Sequence, residues 1–267
     1  MCMKSNPFLL ALSTYRYTLI NRKGYAMNDL LRLFPSKPSG NGRRIILSLF
    51  DHSLVWCGPY IKNGYTVIPF DIQDDGIDLL TCESSYIAGD IIGDKLDRPP
   101  YEVYGILAAV PCTEFAVSGA RWFKEKDRDG RTEKAVQLLK RTIGTINYFS
   151  YDPRTNTIAE FDADEAYLAY PDAGLRFWAL ENPVGRINRL HPYMKQFGPK
   201  YFEPYWYGSP YTKKTGLWGI HNFPEPTNKV EPTEGSRMHK LFPSPERANI
   251  RSKTDENFSN AFYQVNQ

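Results

Sequence analysis

Apolar positions along the chain fall into short continuous runs, not into one sustained amphipathic period. Ile45 to Phe50, within "RRIILSLF", is the first such run. A stretch of that length without alternation predicts a strand buried on both faces, as in a parallel sheet. Further runs follow in "TVIPFDIQ" from Thr66, "YIAGDII" from Tyr86, "VYGILAAV" from Val103 and "LRFWALENP" from Leu175. Helical segments lie between them. "DHSLVWCGPYIKNGY" predicts a loop and then a helix-sized stretch closed by Asn63-Gly64, and a longer helix is predicted from about Thr132 to Tyr148. Strands alternating with helices predict an α/β fold: a Rossmann-like, mostly parallel open sheet flanked by helices.

The flanks read differently. Residues 1–42, with the Pro/Gly/Ser linker "PSKPSGNGRR", are expected to form a poorly ordered N-terminal extension. "MNDLLRLF" offers Met27 as a second candidate start, which would leave 1–26 without a structural role. The α/β core is expected over 43–190. A Pro- and aromatic-rich loop region over 191–246 holds one further strand, "GLWGI". The tail 247–267 predicts a final helix capped by Ser or Asp, with Phe258, Ala261 and Phe262 on one face.

Composition narrows the class. The chain has 267 residues, 42% of them hydrophobic, enough for a substantial core. A net charge of +3 does not by itself indicate nucleic acid. Of the 18 tyrosines, five fall between Tyr193 and Trp218, a local excess that suits either loop packing or stacking on bases. The four cysteines, Cys2, Cys57, Cys82 and Cys112, form no Cys-x-x-Cys pair and no Cys/His cluster. Neither structural zinc nor a disulfide framework is expected, and a reduced cytoplasmic protein is. No apolar run approaches the roughly 20 residues of a membrane span, and "NPFLLALSTY" lacks a small-residue cleavage site.

Polar residues recur where the apolar runs stop: Asp51, Asp71, Asp90, Cys112 and Glu181. Each acid alone fits the capping of a turn or helix. Together, with a cysteine among them, they point to the crevice beyond the carboxyl ends of the strands, where open α/β sheets bind ligands.

The blocks "LSLF" followed by an acid, "FDIQ", "AGDII", "VPCTEFAVSG", "LENPVGR" and "YGSPYTKKTGLWGI" occur in an order that resembles the cytosine-5 DNA methyltransferase superfamily, most closely its short phage and bacterial forms. The resemblance runs from about Arg43 to Ile220. It implies a class I S-adenosylmethionine-dependent fold, S-adenosylmethionine as cofactor and DNA as partner. Cys112, after Pro111, would be the nucleophile that adds to cytosine C6, and Glu181 the acid that assists at N3, with Asn182 shaping the turn. Phe50, Asp51, Ser53, Asp71, Ile72, Asp90 and Ile91 would line the cofactor pocket. Thr113, Ser118, Arg121, Arg186, Lys213 and Lys214 would meet substrate, and Lys124 is a further phosphate contact. The chemistry requires these types. A thiolate splits a hard substitution into easier steps, a carboxyl raised by burial can hold a proton for N3, and one carboxylate accepts from two vicinal ribose hydroxyls.

The chain departs from that family in three places. Its first loop, expected to be glycine-rich, reads "FDHSLVWCG", with His52, Ser53, Leu54 and Val55. After Tyr-Gly-x-Pro, Tyr211, Lys213 and Thr215 replace Gln-x-Arg-x-Arg, and lysine lacks the guanidinium fork. Only Asn222 to Pro245 is left for target recognition, so a simple target or a partner protein is expected. Two rival readings stay open: a catalytically silent DNA-binding relative, and an enzyme acting on free pyrimidine nucleotides. A tRNA target is a third.

Overall fold

A computed structural model of the chain describes residues 44–73, 78–82, 102–150 and 175–267. Six strands among these residues form one sheet: β1 (Arg44–Leu49), β2 (Thr66–Phe70), β3 (Glu102–Ala108), β4 (Phe177–Pro183), β5 (Lys200–Phe202) and β6 (Thr215–Ile220), in the order β2-β1-β3-β4-β6-β5. β2, β1, β3 and β4 run parallel. β6 is antiparallel to both β4 and β5. This is a Rossmann-like, mostly parallel open sheet, as the apolar runs predict. The extension over 1–42 and the run from Tyr86 lie outside the described residues.

Two-residue periodicity buries both faces of the sheet at once. Ile45, Leu47 and Leu49 of β1, Ile106 and Ala108 of β3, and Trp178 and Leu180 of β4 join one apolar cluster. Ile46 of β1, Tyr104 and Leu107 of β3, and Phe177 and Ala179 of β4 join another. The helices, in chain order, are α1 (Gly58–Lys62), α2 (Phe123–Arg128), α3 (Arg131–Ser150), α4 (Ile187–Leu190), α5 (Arg237–Lys240), α6 (Arg247–Ser252) and α7 (Glu256–Val265). α3 covers the first face with Leu139, Ile143 and Ile146. α1 and α7 cover the second, where Tyr60 meets Tyr263 edge-to-face and Phe258 stacks on Phe202 at 3.6 Å. No helix among the described residues is long and apolar enough to cross a membrane.

The aromatic stretch after residue 190 is part of this sheet. It supplies β5 and β6, and the "YGSPY" segment anchors it to the tail. Gly208 has φ +102, and a Cβ there would lie 2.7 Å from Asn228 Nδ2, so glycine fits both the backbone and the space. Ser209 Oγ and Tyr211 Oη both donate to Asp255 Oδ2, at 2.6 and 3.0 Å. Asp255 Oδ1 accepts from Phe258 N at 2.9 Å, which caps α7. One buried carboxylate therefore ties the tail helix to the segment leading into β6.

Candidate active site

Parallel strands bring their carboxyl ends to one edge of the sheet, and the polar residues gather there. Asp51 follows β1, Asp71 follows β2, and Cys112 lies in the turn beyond β3. Glu181 stands inside β4, not at its end, because β6 pairs with β4 as far as Pro183 and places Leu217 opposite Glu181.

The Pro111-Cys112 turn is held from below. Asn182, fully buried, donates from Nδ2 to the Val110 carbonyl at 2.7 Å. The Cys112 carbonyl accepts from Phe115 N and Ala116 N, both at 2.9 Å. The chain then zips onto the loop after β4: Val117 N donates to Val184 O at 2.9 Å and Arg186 N to Phe115 O at 3.0 Å. Gly185 sits at this crossing, where an added Cβ would stand 2.2 Å from the Phe115 carbonyl oxygen.

Two cations lock the same loop from its far side. Arg186, 5% exposed, donates from Nε to the Glu114 carbonyl at 2.9 Å and from NH2 to Thr132 Oγ1 at 2.7 Å. It pairs with Asp127 at 2.7 Å and lies over the Phe123 ring at 3.7 Å. Lys126, also 5% exposed, donates to the Thr113 carbonyl and pairs with Glu114 at 3.7 Å. The sequence places Arg186 among the substrate contacts, whereas the structure spends its guanidinium inside the protein, on the cysteine loop.

Cys112 is half-buried, and its environment is mixed. Burial pushes its thiol up and the Glu181 carboxylate pushes the same way, while Lys213 and Arg251 pull it down. Cys57 is fully buried beside Asp51, and burial holds its thiol well above the ordinary range. It reads as a packing residue. Glu181 is 4% exposed. Burial pushes its carboxyl up and Asp51 adds to that, opposed by the Lys213 ammonium 4.0 Å from Oε1. Lys213 also donates from Nζ to the Lys253 carbonyl at 2.6 Å. A carboxyl inclined to keep its proton thus stands beside the Lys213 ammonium, and the charges of both act on the Cys112 thiol.

The first loop is built from side chains where glycines are expected. Phe50 and Leu54 take φ 62 and 56, left-handed values that cost a non-glycine residue roughly 1–2 kcal/mol each. Asp51 organises this loop. It accepts from Ser48 Oγ at 3.2 Å, Ser53 Oγ at 2.8 Å and Cys57 N at 3.4 Å. Asp71 is buried and accepts from Gln73 N at 2.9 Å, while the neighbouring Ile72 is 61% exposed. Asp90 and Ile91 lie outside the described residues.

The remaining expected contacts are on the surface, most of them in the cysteine loop or just after it. Pro111, Thr113, Ser118, Arg121, Lys124 and Lys214 are exposed. The Arg121 guanidinium lies 5.1 Å from the Trp122 ring centre, and the Lys214 ammonium 5.0 Å from that of Tyr201. Sequence reasoning missed Lys126 and Arg251. Lys126 sits in a run of charges that reads as a solvated helix face. Arg251 sits far along the chain in a segment without a motif.

No protein-family model matches the chain, and no curated protein matches it in sequence. Among solved structures it is similar to a candidate DNA modification methyltransferase encoded within a prophage of E. coli. The two are 13% identical with a TM-score of 0.36, and the match covers 76% of this chain and 49% of the other. The chain thus spans about half the length of that protein, and a likeness this distant bears on neither activity nor substrate.

Proposed function

We propose that the chain is a DNA methyltransferase that uses S-adenosylmethionine to modify cytosine at C5 through Cys112. The observation that carries this reading is a half-buried cysteine in the turn beyond β3 whose thiol feels the charge of Glu181, a buried, proton-retaining glutamate near the carboxyl end of the neighbouring strand β4. A structural cysteine has no need of that company.

The residues at the end of β2 fit the cofactor. Asp71 is a buried carboxylate suited to ribose hydroxyls, and Ile72 leaves an uncovered apolar side chain beside it for an adenine face. Phe50 closes the same end of β1. When bound, S-adenosylmethionine supplies an electrophilic methyl group. The rest of the chemistry falls to this chain. The Cys112 sulfur forms a bond to C6 of the base as Glu181 places its proton on N3, which makes C5 nucleophilic. After C5 has gained its methyl group, its own proton leaves to solvent, the C6–S bond breaks and the N3 proton returns to Glu181. Asn182, Arg186 and Lys126 hold the cysteine turn and touch no reacting atom. A base within a duplex must leave the stack to reach Cys112, at a cost of a few kcal/mol. Thr113, Ser118, Arg121, Lys124 and Lys214 form the exposed rim that meets the strand.

The side-chain-filled loop at Phe50 to Val55 favours one second reading, a DNA-binding relative without methyl transfer. A single experiment separates the two. Duplex DNA is incubated with the protein and methyl-labelled S-adenosylmethionine, then hydrolysed to nucleosides. Label in 5-methylcytosine that disappears in Cys112→Ser supports methyl transfer. DNA binding without label in any nucleoside supports the silent relative.

A further inference from the structure

Past the cysteine turn the chain makes a 3₁₀ turn, Val117–Trp122, that leaves two large apolar side chains uncovered: Val117 is 54% exposed and Trp122 48%. The backbone beneath them is fixed. Val117 N donates to Val184 O at 2.9 Å and Gly119 N to Ala116 O at 3.0 Å. Gly119 lies against the cysteine turn, where an added Cβ would stand 3.6 Å from the Thr113 carbonyl oxygen and 3.7 Å from Lys126 Nζ. Phe123, next along the chain, has the Arg186 guanidinium 3.7 Å from its ring centre, so the inner aromatic position is filled. Trp122 stays outside, with the Arg121 guanidinium 5.1 Å from its ring centre. It stands apart from the other tryptophans: Trp56, Trp178 and Trp218 are buried and Trp206 is half-buried.

Charge around this turn is one-sided. Every acid between Cys112 and Gly130 has a cation: Glu114 pairs with Lys126, Glu125 and Asp129 with Arg131, and Asp127 with Arg186. Arg121 and Lys124 are exposed, and neither has an acidic partner among the described residues. An exposed indole flanked by uncompensated cations fits a polyanion whose units carry flat apolar faces, and a nucleic-acid strand has that chemistry. A base stacked within a duplex has both faces covered, so the indole needs a base that has left the stack.

We propose that Trp122, together with Arg121, is a stacking platform for an unstacked DNA base next to the cytosine that meets Cys112. Arg121 and Lys124 hold the flanking phosphates. The base comes from a single strand or from a duplex opened by extrusion of the target. This rests on the reading of the chain as a DNA methyltransferase, but its test reads binding and not methyl transfer.

The test is the tryptophan fluorescence of the full chain, titrated with three DNAs: a short single strand containing cytosine, its duplex, and that duplex with an abasic site opposite one cytosine. A base stacked on Trp122 quenches the fluorescence, and the quenching is absent in Trp122→Leu. Affinity, read by anisotropy of labelled DNA, falls about 5- to 100-fold in Trp122→Leu. Trp122→Phe keeps a flat ring and stays within about threefold of wild type. The salt slope is unchanged in Trp122→Leu and drops by about 1 in Arg121→Gln. In the wild type, bound DNA also shields the fluorescence from acrylamide, an arm that needs no variant. Quenching by the single strand alone names a single strand as the source of the base, and equal quenching by the abasic duplex names extrusion. DNA binding without quenching that depends on Trp122 overturns the proposal. So does a Trp122→Leu affinity equal to wild type, or equal weakening in Trp122→Leu and Trp122→Phe. Trp122-dependent quenching in a chain that transfers no methyl group leaves the proposal standing and removes the methyltransferase reading; methyl transfer without that quenching does the reverse.

Discussion

Replacing Gly185 with alanine puts a methyl group into the seam that holds the cysteine turn. The new Cβ would lie 2.2 Å from the Phe115 carbonyl oxygen, 2.8 Å from its carbonyl carbon and 3.2 Å from Ala116 Cα. All three are backbone atoms, so no side chain can swing aside and the two loops must part. Two hydrogen bonds bridge the seam, Val117 N to Val184 O and Arg186 N to Phe115 O. Losing both costs roughly 2–4 kcal/mol, at about 1 kcal/mol for each bond and more for any group left unpaired. For a domain of this size that corresponds to about 5–15 °C in Tm. The assay pairs thermal unfolding with alkylation of Cys112 by iodoacetamide at fixed pH. Gly185→Ala should unfold earlier and should react at Cys112 at a changed rate, because the turn that sets the sulfur's exposure has moved. A variant with unchanged Tm and unchanged Cys112 reactivity would refute the claim that this seam positions the nucleophile.

Other predictions follow from the same geometry. Glu181 is raised above the ordinary 4.5 by burial, so the folded state holds its proton more tightly than the unfolded chain and loses stability as pH rises from about 4.5 through the folded value. Glu181→Gln, which cannot titrate, should match wild type in acid and exceed it in urea-denaturation midpoint at pH 8; an advantage confined to acid contradicts the assignment. Methylation rate against pH should be bell-shaped, rising as Cys112 ionises and falling as Glu181 loses its proton, and Glu181→Gln should abolish the falling limb. Asp255→Ala removes the α7 cap and the bonds from Ser209 and Tyr211, and should cost about 2–4 kcal/mol in chemical denaturation. A loss below about 0.5 kcal/mol would show that the tail is held by apolar contacts alone.

The core strands were legible because a parallel strand buried on both faces leaves an unbroken apolar run, as Ile45 to Leu49 and Phe177 to Leu180 do. The tail helix was legible because Asp255 and the spacing of Phe258, Ala261 and Phe262 carry a local signal. β5 was not, since it spans only Lys200–Phe202 and buries one side chain, Phe202. Its strand identity comes from pairing with β6, a contact the local sequence does not encode. The same limit applied at the site. Cys112 and Asp71 lie just beyond strand ends and could be read from position, whereas Glu181, expected at the end of its strand, lies inside β4, which runs on to Pro183. Arg186 looked like a surface cation because nothing near it in sequence reveals that Asp127, Thr132 and Phe123 fold over it. Lys126 and Arg251 depend wholly on tertiary placement. The backbone at Phe50 and Leu54 shows the reverse: glycine was expected by resemblance, and the conformation is left-handed even with side chains in place.

The central claim is that Cys112 forms a covalent bond to a cytosine in DNA. Incubating the protein with S-adenosylmethionine and duplex DNA containing 5-fluorocytosine tests it most directly, because fluorine at C5 blocks the final elimination and leaves the adduct in place. The account predicts a denaturation-resistant protein–DNA complex that maps to the Cys112 peptide and is lost in Cys112→Ser. DNA that binds the protein and carries no covalent bond to it, or an adduct that persists in Cys112→Ser, would contradict it.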